Sequence, residues 1–370
     1  MSCVWTGGHG TSILCAGVSC ESESLVATGA EGGELTLWSH DGSPVSKLRM
    51  SADDDVTCVA FSPSAPCMLY ASYGRTVAVL DSRNLKSAVA ELADAGEEEI
   101  NCVSVNEAGG ALAAADDSGA VRIIDLQQEK VVRTLRKHDN ICSSVTFRPH
   151  RPQSLVSAGL DMQVSLWNLP KVRPLWTYSL QDTQEEDAHP QKAGQMFHPL
   201  AHCIDVTSCG DVFACAAEDG YVHLLRVSED SRLRERAMFK AHSQGASQAR
   251  FINFLSQPYW LATGGNDGLV ALWDISREDV LARKSKGHKR RQKGRAKKKP
   301  EAQATHTKSE EEEASSSSCS SETAGGKNEP KLTFQHGEKV NWICPAVLKG
   351  KKSLLVTDQR PSPTVYSLDQ

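Results

Sequence analysis

Three features of the sequence predict an all-β fold in which seven four-stranded blades close into a ring. One pattern recurs along most of the chain, each copy reads as a strand followed by a hairpin, and the two chain ends complement each other. The clearest copies are SLVATGAEGGELTLWS around Thr28, SLVSAGLDMQVSLWNL around Ser157 and WLATGGNDGLVALWDI around Thr263. Each is an apolar run, a Gly/Asp/Asn turn and an alternating run ending in Trp, which reads as a tight-turn hairpin. Weaker copies start at Met68, Ala111 and Val212. A further strand-like run precedes each hairpin: SILCAGVS, VTCVAFSP, INCVSVNE, CSSVTFRP, AHCIDVTS and ASQARFIN.

The spacing sets the blade count. Taking Trp38, Leu80, Ile124, Trp167, Leu225, Trp273 and Tyr366 as equivalent, the steps are 42, 44, 43, 58, 48 and 93 residues. A period of about 40–45 is that of a four-stranded propeller blade. The long steps contain polar inserts, at about 181–198 and at 284–330. With 48 residues set aside for the larger insert, 322 remain, or 46 for each of seven blades. A single blade cannot bury its own faces, so blades must stack, and a closed ring also removes exposed sheet edges. At the C-terminal end VNWICPAV, SLLVTD and TVYSLDQ supply three strands, and the N-terminal CVWT reads as the missing fourth. The predicted division is therefore 1–283 for blades one to six, with residues 1–6 as the outer strand of blade seven. A disordered insert at 284–330 and blade seven at 331–370 complete it.

Composition narrows the class of protein. The 370 residues are 39% hydrophobic and 24% charged, with net charge −5. No run approaches the ~18–20 uncharged apolar residues of a spanning helix. The N-terminus MSCVWTGGHG has no basic region followed by an apolar one, so no signal peptide is expected. The 12 cysteines are scattered without a C-x-x-C pair, and Cys58, Cys102, Cys142 and Cys215 lie in apolar runs. Free cysteine behaves there as a small hydrophobe, which predicts a reducing compartment. Between Arg283 and Pro330 stand 13 Lys and Arg against 7 Asp and Glu, a balance of +6. The remainder carries 28 basic and 39 acidic residues, −11, so the near-neutral total hides an acidic body with a basic insert.

The strongest constellation is a His, a Ser or Thr, an Asp and a Trp. One set is His138, Ser157, Asp161 and Trp167, the other His242, Thr263, Asp267 and Trp273; the last two steps are 4 and 6 in both. With these residues the chain resembles the WD-repeat family, whose blades carry Gly-His near the start and Trp-Asp near the end. The resemblance covers all but the two inserts. It implies a seven-bladed WD-repeat β-propeller acting as a non-catalytic interaction scaffold, with each tetrad a hydrogen-bonded network inside its blade. A Ser/His/Asp set also invites comparison with a catalytic triad, but a hydrolase needs one such site and this set recurs. The other blades depart from the pattern. The first has His9, Thr28 and Trp38 with Gly32 at the Asp position and Glu31 beside it; the second has no His and Gly74 in place of Asp. The fifth keeps Asp219, with Cys215 and Leu225 replacing hydroxyl and indole.

The second feature is LDSR, residues 80–83, at the end of the second repeat. Many WD-repeat substrate receptors of cullin-RING ubiquitin ligases carry Trp-Asp-x-Arg here. The resemblance gives Asp81 and Arg83 a partner-binding role, docking the ligase's damaged-DNA-binding adaptor, although Leu80 stands in place of Trp. The alternative is an ordinary surface arginine after a strand. In WDISR, Arg277 is one residue too far along.

The insert begins RKSKGHKRRQKGRAKKKP, with 11 Lys and Arg between Arg283 and Lys299 and no aromatic residue. Such composition cannot bury a core. Lys289, Arg290, Arg291, Lys293, Arg295, Lys297, Lys298 and Lys299 form a candidate nuclear-import signal. A nucleic-acid patch on a chromatin-associated adaptor is the rival, and lacks stacking residues to grip bases; a plain solvated linker is the third reading. Phosphorylation of Ser315 to Ser318 would add negative charge beside the basic run. The expected localisation is nucleus and cytoplasm. No metal, cofactor or catalytic residue is expected: His198 and His202 are four apart without a nearby acidic or cysteine partner in sequence, and there is no P-loop.

Overall fold

The computed structural model describes residues 2–19, 25–181, 198–255, 259–276 and 329–369. These form seven four-stranded antiparallel sheets arranged as the blades of a closed propeller. Among the described residues there is no α-helix, only two three-residue 3-10 turns at Glu31–Gly33 and Leu169–Lys171. Blade four shows the plan: Cys142–Phe147, Ser154–Gly159, Gln163–Asn168 and Pro174–Ser179, each strand pairing with the next. The first strands of the seven blades are Ile13–Val18, Val56–Phe61, Ile100–Val105, Cys142–Phe147, Ala201–Val206, Ala246–Phe251 and Trp342–Leu348. They face one another around the axis. The second and third strands carry the buried β-branched and aliphatic residues that fill the space between blades.

Six first strands carry a bulge at their second residue, where the register with the neighbouring strand slips. A bulge re-aims one side chain, and here it aims the second residue at the next blade. Thr57 donates to the Ile100 carbonyl, Ser143 to Ala201 at 2.6 Å and Ser247 to Val340 at 2.6 Å. Asn101 reaches the Cys142 carbonyl at 3.4 Å, and Asn341 of blade seven reaches Ile13 of blade one at 3.0 Å. At the third position thiols and a hydroxyl repeat the device one step further on. Cys58, Cys102, Ser144 and Cys203 donate to the carbonyls of Val103, Val145, Ile204 and Ala249. Cys58, Cys102 and Cys203 are thus small inter-blade donors, whereas Cys142 and Cys215 bond within their own blades, and all ten described cysteines are free thiols.

The ends close as the sequence predicts. Ser2–Val4 pairs antiparallel with Thr364–Ser367, Ser2 opposite Tyr366 and Val4 opposite Thr364, so residues from both termini build blade seven. Trp5 follows, 5% exposed, its N–H on the Pro363 carbonyl at 3.0 Å and its ring 5.6 Å from that of Trp38.

One predicted boundary is corrected. Leu332–Gln335 is not the start of blade seven; it pairs with Leu269–Asp274 as the outer strand of blade six. Blade seven therefore begins after residue 335, and the large insert lies between the third and fourth strands of blade six rather than between blades. The cause is that the sequence repeat runs from an outer strand through the next three, so it straddles two blades. An outer strand with one exposed face carries too weak an apolar signal to reveal which sheet it joins.

Removing the anchor tests the closure. Trp5→Ala should lower stability by about 3–5 kcal/mol, as for other buried Trp truncations, read from urea denaturation of the purified chain. Unchanged stability would mean that the N-terminal strand does not hold the ring.

Candidate functional site

Three places in this ring concentrate polar side chains: the tetrads within the blades, the Asp81–Arg83 pair at a blade end, and the central channel. In blade four, His138 lies in the loop before the first strand, Ser157 on the second strand, Asp161 in the following turn and Trp167 on the third strand. His138 Nδ1 is 2.9 Å from Asp161 Oδ1 and Nε2 is 2.8 Å from Ser157 Oγ, while Trp167 Nε1 donates to Ser157 Oγ at 2.8 Å. The proton order follows. Nδ1–H gives to the carboxylate, so Nε2 accepts the serine proton and the serine oxygen is left to accept the indole N–H. His242, Thr263, Asp267 and Trp273 repeat this at 3.0, 2.9 and 2.9 Å. Asp161 and Asp267 also accept backbone N–H groups. Burial raises both carboxyls and the histidine bonds outweigh it, leaving each below the usual carboxylate range. The chain of bonds is closed at each end by a group with nothing left to give, which suits a brace and leaves no free nucleophile.

The departing blades improvise. In blade one Trp38 donates to Thr28 at 2.7 Å and Thr28 meets His9 Nε2 at 2.6 Å. The carboxylate nearest His9 Nδ1 is Glu34 at 3.5 Å, not Glu31, and no hydrogen bond forms there. Burial, opposed by Glu34, lowers His9 to about 4. Blade seven has a network that the sequence pattern did not reveal. His336 Nε2 lies 2.7 Å from Asp358 and Nδ1 lies 2.8 Å from the Tyr366 hydroxyl, so one phenol does the work of hydroxyl and indole. His336 stands four residues before Val340, as His242 stands before Ala246. That signal was readable; the Asp-to-aromatic step of 8 instead of 6 concealed it. His202 has an acidic partner after all, Glu218 at 2.6 Å, brought in by the turn after the second strand. Among the described residues no group of three or more His, Cys, Asp and Glu could hold a metal ion.

Asp81 closes the third strand of blade two, Thr76–Asp81, and Arg83 follows in the turn. Leu80, beside them, is fully buried in the place that Trp167 holds in blade four. Asp81 accepts the Arg83 backbone N–H at 2.9 Å, Nε at 2.9 Å and Nη2 at 2.6 Å. Those bonds hold the Asp81 carboxyl down to about 2. They also fix an arginine whose side chain is 73% exposed. Arg277 and the candidate import residues from Lys289 to Lys299 lie outside the described residues.

The sequence predicts a central channel mouth for peptides or domains but does not single out Asp205, Arg250 or Trp342 as its lining. The channel cavity of about 260 Å³ is bounded by first-strand residues, among them Cys58, Cys102, Asp205, Arg250 and Trp342. Burial pushes the Cys344 thiol to about 12 and the Cys203 thiol and Asp205 carboxyl upward as well. Reading it from sequence would require knowing which residues of seven separate strands meet on one axis.

Comparison with known proteins follows this geometry. The model of the WD domain, G-beta repeat, matches residues 42–81, 129–168 and 233–274, each span running from an outer strand to the third strand of the next blade. The chain is 23% identical over 289 residues to WD repeat-containing protein 53 homolog of Dictyostelium discoideum, covering 73% of this chain and 77% of that protein. To Dynein axonemal assembly factor 10 of Xenopus laevis it is 25% identical over 223 residues, 56% of this chain and 60% of that protein. To Nuclear distribution protein PAC1 of Komagataella phaffii it is 27% identical over 145 residues, 35% of this chain and 29% of that protein.

Two predictions follow from the buried networks. Ser157→Ala strands His138 Nε2 and the Trp167 N–H at ~1–3 kcal/mol each, so a loss of about 2–4 kcal/mol is expected in urea denaturation. Because the folded state keeps His9 neutral, stability is full above pH ~6.5 and falls as the pH drops towards 4, by about 3 kcal/mol. His9→Gln should flatten that segment of the stability–pH curve.

Proposed function

Starting from a chain that is a seven-bladed WD-repeat β-propeller, a scaffold for protein contacts, we propose that it is a substrate receptor of a cullin-RING ubiquitin ligase. The observation that carries this reading is the Asp81–Arg83 pair. Asp81 and Arg83 occupy the second and fourth places of the Trp-Asp-x-Arg pattern of such receptors, and Asp81 prearranges the exposed guanidinium. An arginine held in one orientation loses less side-chain entropy on docking, and its fork suits burial in an interface. Leu80 departs from the pattern but fills the indole's place inside the blade without presenting anything to a partner. The adaptor would then grip one face of the ring and leave the opposite rim for the substrate.

The protein itself supplies no reacting group in this scheme; the chemistry belongs to the ligase it joins. The basic run from Arg283 to Lys299 supports import into the nucleus, with a cytoplasmic pool before import. A phosphate-binding role for that run is less favoured, because the rest of the chain carries −11 and repels nucleic acid.

The test is affinity purification from cells of wild type against Arg83→Ala, each checked for an unchanged thermal melt. Recovery of the damaged-DNA-binding adaptor and its cullin should fall at least tenfold. Equal recovery with folded Arg83→Ala would overturn the receptor reading.

A further inference from the structure

We propose that the central channel is a binding site for an aliphatic carboxylate, with Arg250 as the group that receives it. Arg250 is the fifth residue of the first strand of blade six, and its side chain lines the channel cavity. Its guanidinium lies over the Trp342 ring, 4.5 Å from the centroid, and its Nε donates to Gln248 Oε1 at 3.1 Å. Among the described residues no carboxylate comes within 4.0 Å of it, and no acceptor takes its two terminal amino groups. Among the described residues Asp205 is the only other charged residue bounding the cavity; its charge favours that of Arg250 from beyond 4.0 Å, and one of its oxygens is spent on the Phe251 N–H at 2.7 Å. The ring therefore holds a half-buried cation with four unspent N–H donors and Asp205 as its countercharge.

A partly buried charge whose countercharge lies beyond hydrogen-bond reach leaves its donors unmet, and in proteins such groups bind an ion. The shape of the site says which anion. Trp342 fixes the plane of the fork, and a fixed fork presents two parallel N–H groups, the match for a carboxylate. Val59, Val103, Val145 and Ile343 make part of the wall aliphatic, suited to a short methylene stem, and Ser104 and Thr146 line it beside them. A volume of about 260 Å³ is small beside ordinary ligand clefts of ~300–1,000 Å³, so the occupant is a short acid or one acidic side chain, not a nucleotide.

The other blades support the assignment. Where blades two to five place Cys58, Cys102, Ser144 and Cys203 directly after the bulged residue of the first strand, blade six places Gln248 after Ser247 and blade seven places Trp342 after Asn341. These are the two residues that touch Arg250, so the thiol and hydroxyl donors give way only where the guanidinium is held. First and third strands run in the same sense, so Arg250, near the end of its strand, lies towards the face that also carries Arg83. The inference does not rest on the receptor reading, since a carboxylate seated here needs no ligase.

The experiment titrates the purified full chain with sodium glutarate and, separately, with a capped Gly-Gly-Glu-Gly-Gly peptide and its Gln counterpart. Binding is read by calorimetry and by the tryptophan indole NMR signals. Binding of glutarate assigns the site to a free small acid, and binding of the Glu peptide at least tenfold tighter than the Gln peptide assigns it to an acidic side chain. In either case Arg250→Met, which keeps the stem and deletes the fork, should weaken binding at least tenfold with an intact thermal melt. If that variant does not fold, Arg250→Lys, which keeps the charge without the fork, should show a loss of at least threefold. No binding of either carboxylate to wild type, or binding unaltered by the Arg250 substitutions, overturns the proposal.

Discussion

The contact on which everything else depends is the one between neighbouring first strands. Each blade is a small sheet whose faces are stable only when covered, and its cover is the next blade. The bulged second residues Thr57, Asn101, Ser143 and Ser247, and Asn341 just before the first strand of blade seven, each donate a hydrogen bond across that seam to a carbonyl of the following blade. The bond from Asn341 to Ile13 joins residues 328 positions apart and turns a row of blades into a ring. With Ser2–Val4 on the edge of blade seven, the ring has no seam made by one terminus alone.

A closed ring explains the uneven quality of the tetrads. Once a blade is held by its neighbours, its internal brace can erode, and blade two keeps its place with Leu80 and no His at all. Complete tetrads survive in blades four and six. Blade six is also the blade whose third and fourth strands are separated in sequence by the long insert, and blade four precedes the shorter one. An outer strand returning after a long excursion has the least local help in finding its sheet, and a firm brace on the other three strands compensates.

The same geometry divides the labour of the surface and the interior. Asp81 and Arg83 sit where a strand has ended, with the arginine side chain 73% exposed. Arg250 sits where seven strands converge, and the cavity around it is lined from all seven blades. One is a short linear pattern and the other a convergence of distant segments.

That difference states what the sequence alone determined. Period and alternation determined the class, the number of blades and the N-terminal closure, because each depends on residues close together in the chain or on counting. The spacing of His138, Ser157, Asp161 and Trp167 was legible for the same reason, since one blade contains all four. The sheet that Leu332–Gln335 joins, the blade-seven network of His336, Asp358 and Tyr366, and the partner of His202 were decided only by the fold. The channel was too. A hydrogen bond to the next blade, or a guanidinium over a tryptophan 92 residues away, leaves no local periodicity; only the closed ring brings such residues within reach.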